Sequence, residues 1–119
     1  MPNKFYKLDE SQNIIPVNTI NDVADMFDDF KKRKVGHTCI GDIEISTVFL
    51  CIDHNYTNNG PPVLFETMVF GGEFDGECRR YSSWDEALSG HEKWVKKLGG
   101  EIKEKKSEKF NRFDIIDID

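Results

Sequence analysis

The chain is poor in the features that usually name a chemistry. Its three cysteines, Cys39, Cys51 and Cys78, are widely spaced and include no Cys-x-x-Cys pair. A disulfide framework and a structural zinc site of the usual spacing are therefore not expected, and all three read as reduced thiols. Long apolar runs are also missing. The longest, Val48 to Ile52, falls far short of a membrane span, and no apolar stretch follows Met1-Pro2-Asn3-Lys4. Secretion and membrane insertion are accordingly not expected, and a cytoplasm is the expected compartment. No Gly-x-Ser-x-Gly elbow supplies a nucleophile, and Gly71-Gly72 and Gly99-Gly100 lack the Lys and Ser/Thr of a phosphate loop. No cofactor is implied by any motif.

Positive charge is scarce too. Sixteen Lys and Arg stand against 22 Asp and Glu, for a net charge of −6 at pH 7. The deficit sits in the middle, where residues 35–100 carry ten acids and five bases, whereas residues 1–34 carry six of each. A negative central surface repels phosphate backbones and argues against general nucleic-acid binding, though not against mimicry of nucleic acid at a basic partner.

What is present is enough for one core. The 119 residues are 38% apolar and 12% aromatic, with nine Phe, enough for a single domain and too few for two of roughly 100 to 200 residues each. Phe5–Leu8 and Ile14–Val17 flank a polar turn and predict an N-terminal hairpin, with Pro16 at an edge. Thr19 with Asp22 resembles a cap, and Ile20, Val23, Phe27 and Phe30 predict a first helix from about 20 to 32. Its acids precede its bases, as the helix dipole favours, and this charge pattern reads as a solvated face.

From Asp42 the period becomes two. Ile43, Ile45, Thr47, Phe49 and Cys51 share one face of a strand that runs on to Ile52. A loop of turn formers, Asp53 to Pro62, leads to a return strand from Val63 to Phe70. Glu73 to Ser82 reads as turn-rich or briefly extended. Ser83-Trp84-Asp85-Glu86 is a capping box for a second helix over 84–98, closed by Gly99-Gly100. The expected class is α+β: a small antiparallel sheet, made of the N-terminal hairpin and the central hairpin 42–70, packed on two helices. Residues 1–100 form the domain, and 101–119 a charged extension in which Phe113 to Ile118 is an edge strand or a mobile tail.

Candidate chemistry gathers near the central loop. Asp53, His54 and Asn55 leave a buried strand as a polar triplet, a place where sites are often built, and equally a place where such residues cap turns. Glu66 lies within an apolar run and needs a partner such as Arg79, Arg80 or His91, either structurally or for function. His91 falls on the apolar face of the second helix, as a satisfied core histidine or as a ligand. Convergence of Asp53, His54, Glu66 and His91 would make a metal site, although no His-x-x-x-His spacing supports it. Arg79, Arg80 and Tyr81 could hold an anion by bidentate contact and stacking, or pair with Glu73, Asp75 or Glu77.

Several of these residues form a longer pattern. Ser46-Thr47-Val48-Phe49-Leu50, Asp53-His54-Asn55, Gly60-Pro61-Pro62, Leu64 to Gly72, Asp75, Arg80-Tyr81, Trp84, Glu86-Ala87 and Gly90-His91 together resemble a family of short proteins encoded in bacteriophages and prophages. The family has no assigned activity. The resemblance implies a phage origin and the cytoplasm of a bacterial host. By analogy it also implies a non-enzymatic accessory protein that binds and blocks a host protein or nucleoprotein complex, such as a CRISPR nuclease, or that sequesters a small anionic nucleotide. Two other classes remain open on the residues themselves: a small metal-dependent hydrolase or nuclease, and a virion or assembly component that works as an oligomer.

Overall fold

Asp9 closes the first turn. Its carboxylate accepts from the backbone N–H groups of Ser11 and Asn13 at 2.8 and 2.9 Å and from the Asn13 amide at 3.1 Å. The flanking strands β1 (Phe5–Leu8) and β2 (Ile14–Val17) pair antiparallel, with Tyr6 opposite Pro16. The hairpin is therefore as expected. These features belong to a computed structural model that describes residues 4–57 and 59–107.

The first helix is not continuous. A 3-10 turn at Ile20–Val23, a single turn α1 at Ala24–Phe27 and another, α2, at Phe30–Arg33 replace the helix expected over 20–32. Two causes are visible. Asp29 takes extended backbone angles and its carboxylate accepts from the N–H groups of Lys31 and Lys32, so it starts a new turn where the old one should have continued. Among the described residues the apolar stripe is also only partly covered. Ile20, Phe27 and Phe30 stay 40 to 47% exposed and Val23 alone is buried.

An unexpected strand follows. β3 (Lys34–Ile40) turns through Gly41, at φ 58°, into β4 (Ile43–Phe49). β4 pairs with β5 (Phe65–Phe70) with Val48 opposite Glu66, so the central hairpin stands. β6 (Cys78–Tyr81), in the stretch read as turn-rich or briefly extended, completes an antiparallel sheet of order β3-β4-β5-β6. β4 ends earlier than expected, because Cys51 adopts φ 68° just after the Leu50 N–H makes a last in-register bond to the Leu64 carbonyl at 2.7 Å. Tyr6, Lys4 and the Phe5–Ile52 bridge fasten the N-terminal hairpin to this exit segment.

α3 (Trp84–Ser107) crosses one face of the sheet and touches all four strands. Ser83 caps it: its hydroxyl accepts from Glu86 N–H at 3.1 Å and donates to the Glu86 carboxylate at 3.0 Å. The helix passes through Gly99-Gly100 instead of ending there. Residues 101–107 are mostly Glu and Lys, good helix formers, and this outweighs a glycine cost of about 1 kcal/mol each. The segment Phe113 to Ile118 lies outside the described residues.

Under α3 the sheet presents Ile45, Phe49, Phe65 and Val69, all fully buried, with Ala87, Trp94 and Val95 packed from the helix. Burying each of the two phenylalanines is worth roughly 2 to 3 kcal/mol. Among the described residues no helix is long and apolar enough to cross a membrane.

Candidate functional site

The sheet sorts the candidate residues by strand alternation, and it separates most of them. Asp53, His54 and Asn55 hold the central loop together. Asp53 Oδ1 accepts from the N–H groups of Asn55 and Val63 at 2.7 and 2.8 Å. His54 Nδ1 lies 2.8 Å from the Ile52 carbonyl, and the Asn55 amide donates to the carbonyls of Asn59 and Pro61. These contacts are those of turn-capping residues.

Glu66 points to the sheet face away from α3. Its carboxylate accepts from Arg80 Nε at 2.9 Å and from the Cys78 thiol at 3.2 Å. Burial, then the bond to Glu66, pushes the Cys78 thiol above its ordinary range, so it is a poor nucleophile. His91 lies on the other side of the sheet, fully buried under α3. Asp53, His54, Glu66 and His91 therefore do not converge. Among the described residues no group of three or more His, Cys, Asp and Glu is placed to hold a metal ion, so the hydrolase reading lacks its ligand set there.

His91 is the centre of a buried polar chain. Its Nε2 lies 2.8 Å from the Thr38 hydroxyl on β3, and its Nδ1 lies 2.7 Å from the Thr47 hydroxyl on β4. Thr47 in turn meets Thr67 on β5 at 2.5 Å, and Thr67 lies close enough to the Tyr81 phenol on β6 to offset part of the rise that burial gives its pKa. One helix residue thus joins hydroxyls from β3, β4 and β5, with the Tyr81 phenol of β6 beside them. A neutral imidazole donates from one nitrogen and accepts at the other, which suits two hydroxyl neighbours. Burial, and secondarily the charge of His37, lowers the His91 pKa to about 4.

The chain of hydroxyls ends at a surface groove of about 590 Å3 between β6 and α3. Arg79 and Tyr81, alternate residues of β6, line it from the sheet, while Ser89, Lys93, Trp94 and Lys97 line it from the helix. Arg80 faces the opposite side, so the expected cluster of Arg79, Arg80 and Tyr81 is divided by the pleat. Gly90 makes the groove's close wall possible, because a β-carbon there would stand 2.3 Å from the Tyr81 hydroxyl. Lys97 lies over the Phe74 and Trp94 rings at 4.4 and 5.0 Å.

The groove is charged unevenly along its length. Asp85 and Glu86 border it in the first turn of α3, whereas Lys93 and Lys97 follow two and three turns later beside Arg79. Sequence reasoning missed both lysines. Their signal was the spacing Asp85, Ser89, Lys93, Lys97, which places one flank of the helix beside β6. Comparison with known protein families, curated proteins and solved structures finds no match to the chain.

Proposed function

We propose that the protein works by binding, as a phage-type accessory protein that occupies an anionic region of a host component in the bacterial cytoplasm and blocks it. A defence complex is the target class that the sequence pattern suggests. One observation carries the reading. In a chain of net charge −6, Arg79, Lys93 and Lys97 gather on a groove large enough for a ligand. Clefts of about 300 to 1,000 Å3 are the usual size for ligand recognition, and a local cationic focus steers anionic partners even on an acidic protein.

The test is capture from a bacterial host lysate on the immobilised full chain, beside the variant carrying Arg79→Glu and Lys93→Glu. Both positions are exposed, so the variant retains the fold, which circular dichroism checks. A host component held by the native protein and reduced at least roughly tenfold on the variant is the expected result. Equal capture by both proteins, or capture by neither, removes the groove from the function.

A further inference from the structure

Among the described residues β6 is an outer strand that pairs with β5 on one side only, and its Cys78, Arg79 and Arg80 are exposed. The pairing fixes which backbone groups face outward. Val69 N–H donates to the Glu77 carbonyl, and Thr67 pairs with Arg79 and Phe65 with Tyr81. In an antiparallel ladder the backbone groups alternate, so those of Cys78 and Arg80 lie on the open side. Beside this edge runs the groove, walled by α3.

An edge strand next to a helix-walled groove is the arrangement in which an extended peptide adds a strand: its main chain bonds the edge and alternate side chains enter the groove. We infer that the groove takes an extended acidic segment of a partner protein, which lies along β6 as an additional strand and sets its carboxylates on Arg79, Lys93 and Lys97. The inference rests on the groove being the binding surface and adds the mode of binding and the chemistry of the ligand.

Charge selects this occupant over a second copy of β6. An antiparallel pair of copies keeps the same face up, so a register centred on Arg79 or on Arg80 sets that arginine opposite its own copy, and like charges directly opposite one another disfavour pairing. An acidic strand meets cations on both faces, with Arg79 on the groove side and Arg80 on the other. Asp85 and Glu86 limit the acidic stretch to the half of the groove around Lys93 and Lys97, so the segment's other end carries neutral or basic side chains.

The experiment titrates the full-length protein with a labelled ten-residue peptide that alternates glutamate and valine over one half and serine and valine over the other, followed by fluorescence anisotropy. Two further peptides carry the same side chains, with backbone N-methyl groups at the odd or the even residues. Strand addition uses the N–H groups of one set only. One methylated peptide is therefore expected to bind at least roughly tenfold more weakly than the parent while the other binds like it, and Arg79→Glu with Lys93→Glu weakens the parent by a similar factor. Equal binding of both methylated peptides overturns strand addition. No binding of the parent peptide overturns the inference too, and lysate capture that still depends on Arg79 and Lys93 would then leave the binding function standing. Failure of both experiments removes both.

Discussion

The imidazole of His91 makes the stability of the fold depend on pH in a defined direction. Its pKa falls from an ordinary 6.5 to about 4 on folding, first because burial penalises the cation. Between those values the unfolded chain binds the proton and the folded chain does not. The stabilisation is thus complete above pH 6.5 and is lost as pH falls towards 4, by about 3 kcal/mol in all and about 2 kcal/mol between pH 7 and 5. Urea unfolding of the native chain at pH 7 and pH 5 should show that difference, and His91→Gln should be less stable at pH 7 but show a smaller loss over the same interval. An unchanged difference in the variant would assign the pH dependence to other groups. The place of His91 on the apolar helix face was readable from the spacing of Leu88, His91 and Val95. Its partners were not. Thr38, Thr47 and Thr67 are ordinary strand residues in the sequence, and only the stacking of three strands under one helix brings their hydroxyls to the ring.

At the scale of elements, the closeness of α3 to β6 depends on Gly90. Alanine there gains about 1 kcal/mol in helix propensity, but its β-carbon would lie 2.3 to 2.4 Å from three atoms of the Tyr81 phenol. Overpacking of that kind costs about 1 to 3 kcal/mol, so Gly90→Ala should destabilise the domain by about 1 kcal/mol. In a Tyr81→Ala background the same change should be neutral or stabilising, and a double-mutant cycle by thermal melting measures the coupling. The elements were unequally legible for physical reasons. The central hairpin and α3 announced themselves through apolar alternation and a capping box. β3 did not, because its helix-facing residues include Gly36 and Thr38: the core beneath it is polar, so the alternation that marks a strand is missing. The expected first helix failed for the opposite reason, since its apolar spacing was right but among the described residues Phe27 and Phe30 are only partly covered, and Asp29 competes for the backbone. Strand alternation also divided Arg79 from Arg80, which a linear reading had grouped.

For the whole molecule, attraction to an anionic partner has to act against a net charge of −6. The opposing charges are spread over the surface and the attracting ones are local. Salt screens with a length of about 8 Å at 0.15 M and about 3 Å at 1 M, so the weak long-range repulsion disappears first and the groove contacts later. Affinity for the half-acidic peptide should consequently change little as NaCl is raised to about 0.1 M and then fall several-fold towards 1 M, as anisotropy titrations across the series would show. A steep fall from the lowest salt would place the attraction outside the groove. The arrangement around His91 has a separate consequence for how the chain finds its fold. The imidazole and the Thr38 hydroxyl are 53 residues apart in sequence, whereas β3 and β4 meet across a tight local turn and can form early. A hairpin shifted by one residue would offer the ring Ser46 in place of Thr47 and turn Glu44 inward, leaving a buried carboxylate and a mismatched imidazole. The polar knot therefore works as a proofreading step: α3 can settle fully only on a sheet whose strands are already in register.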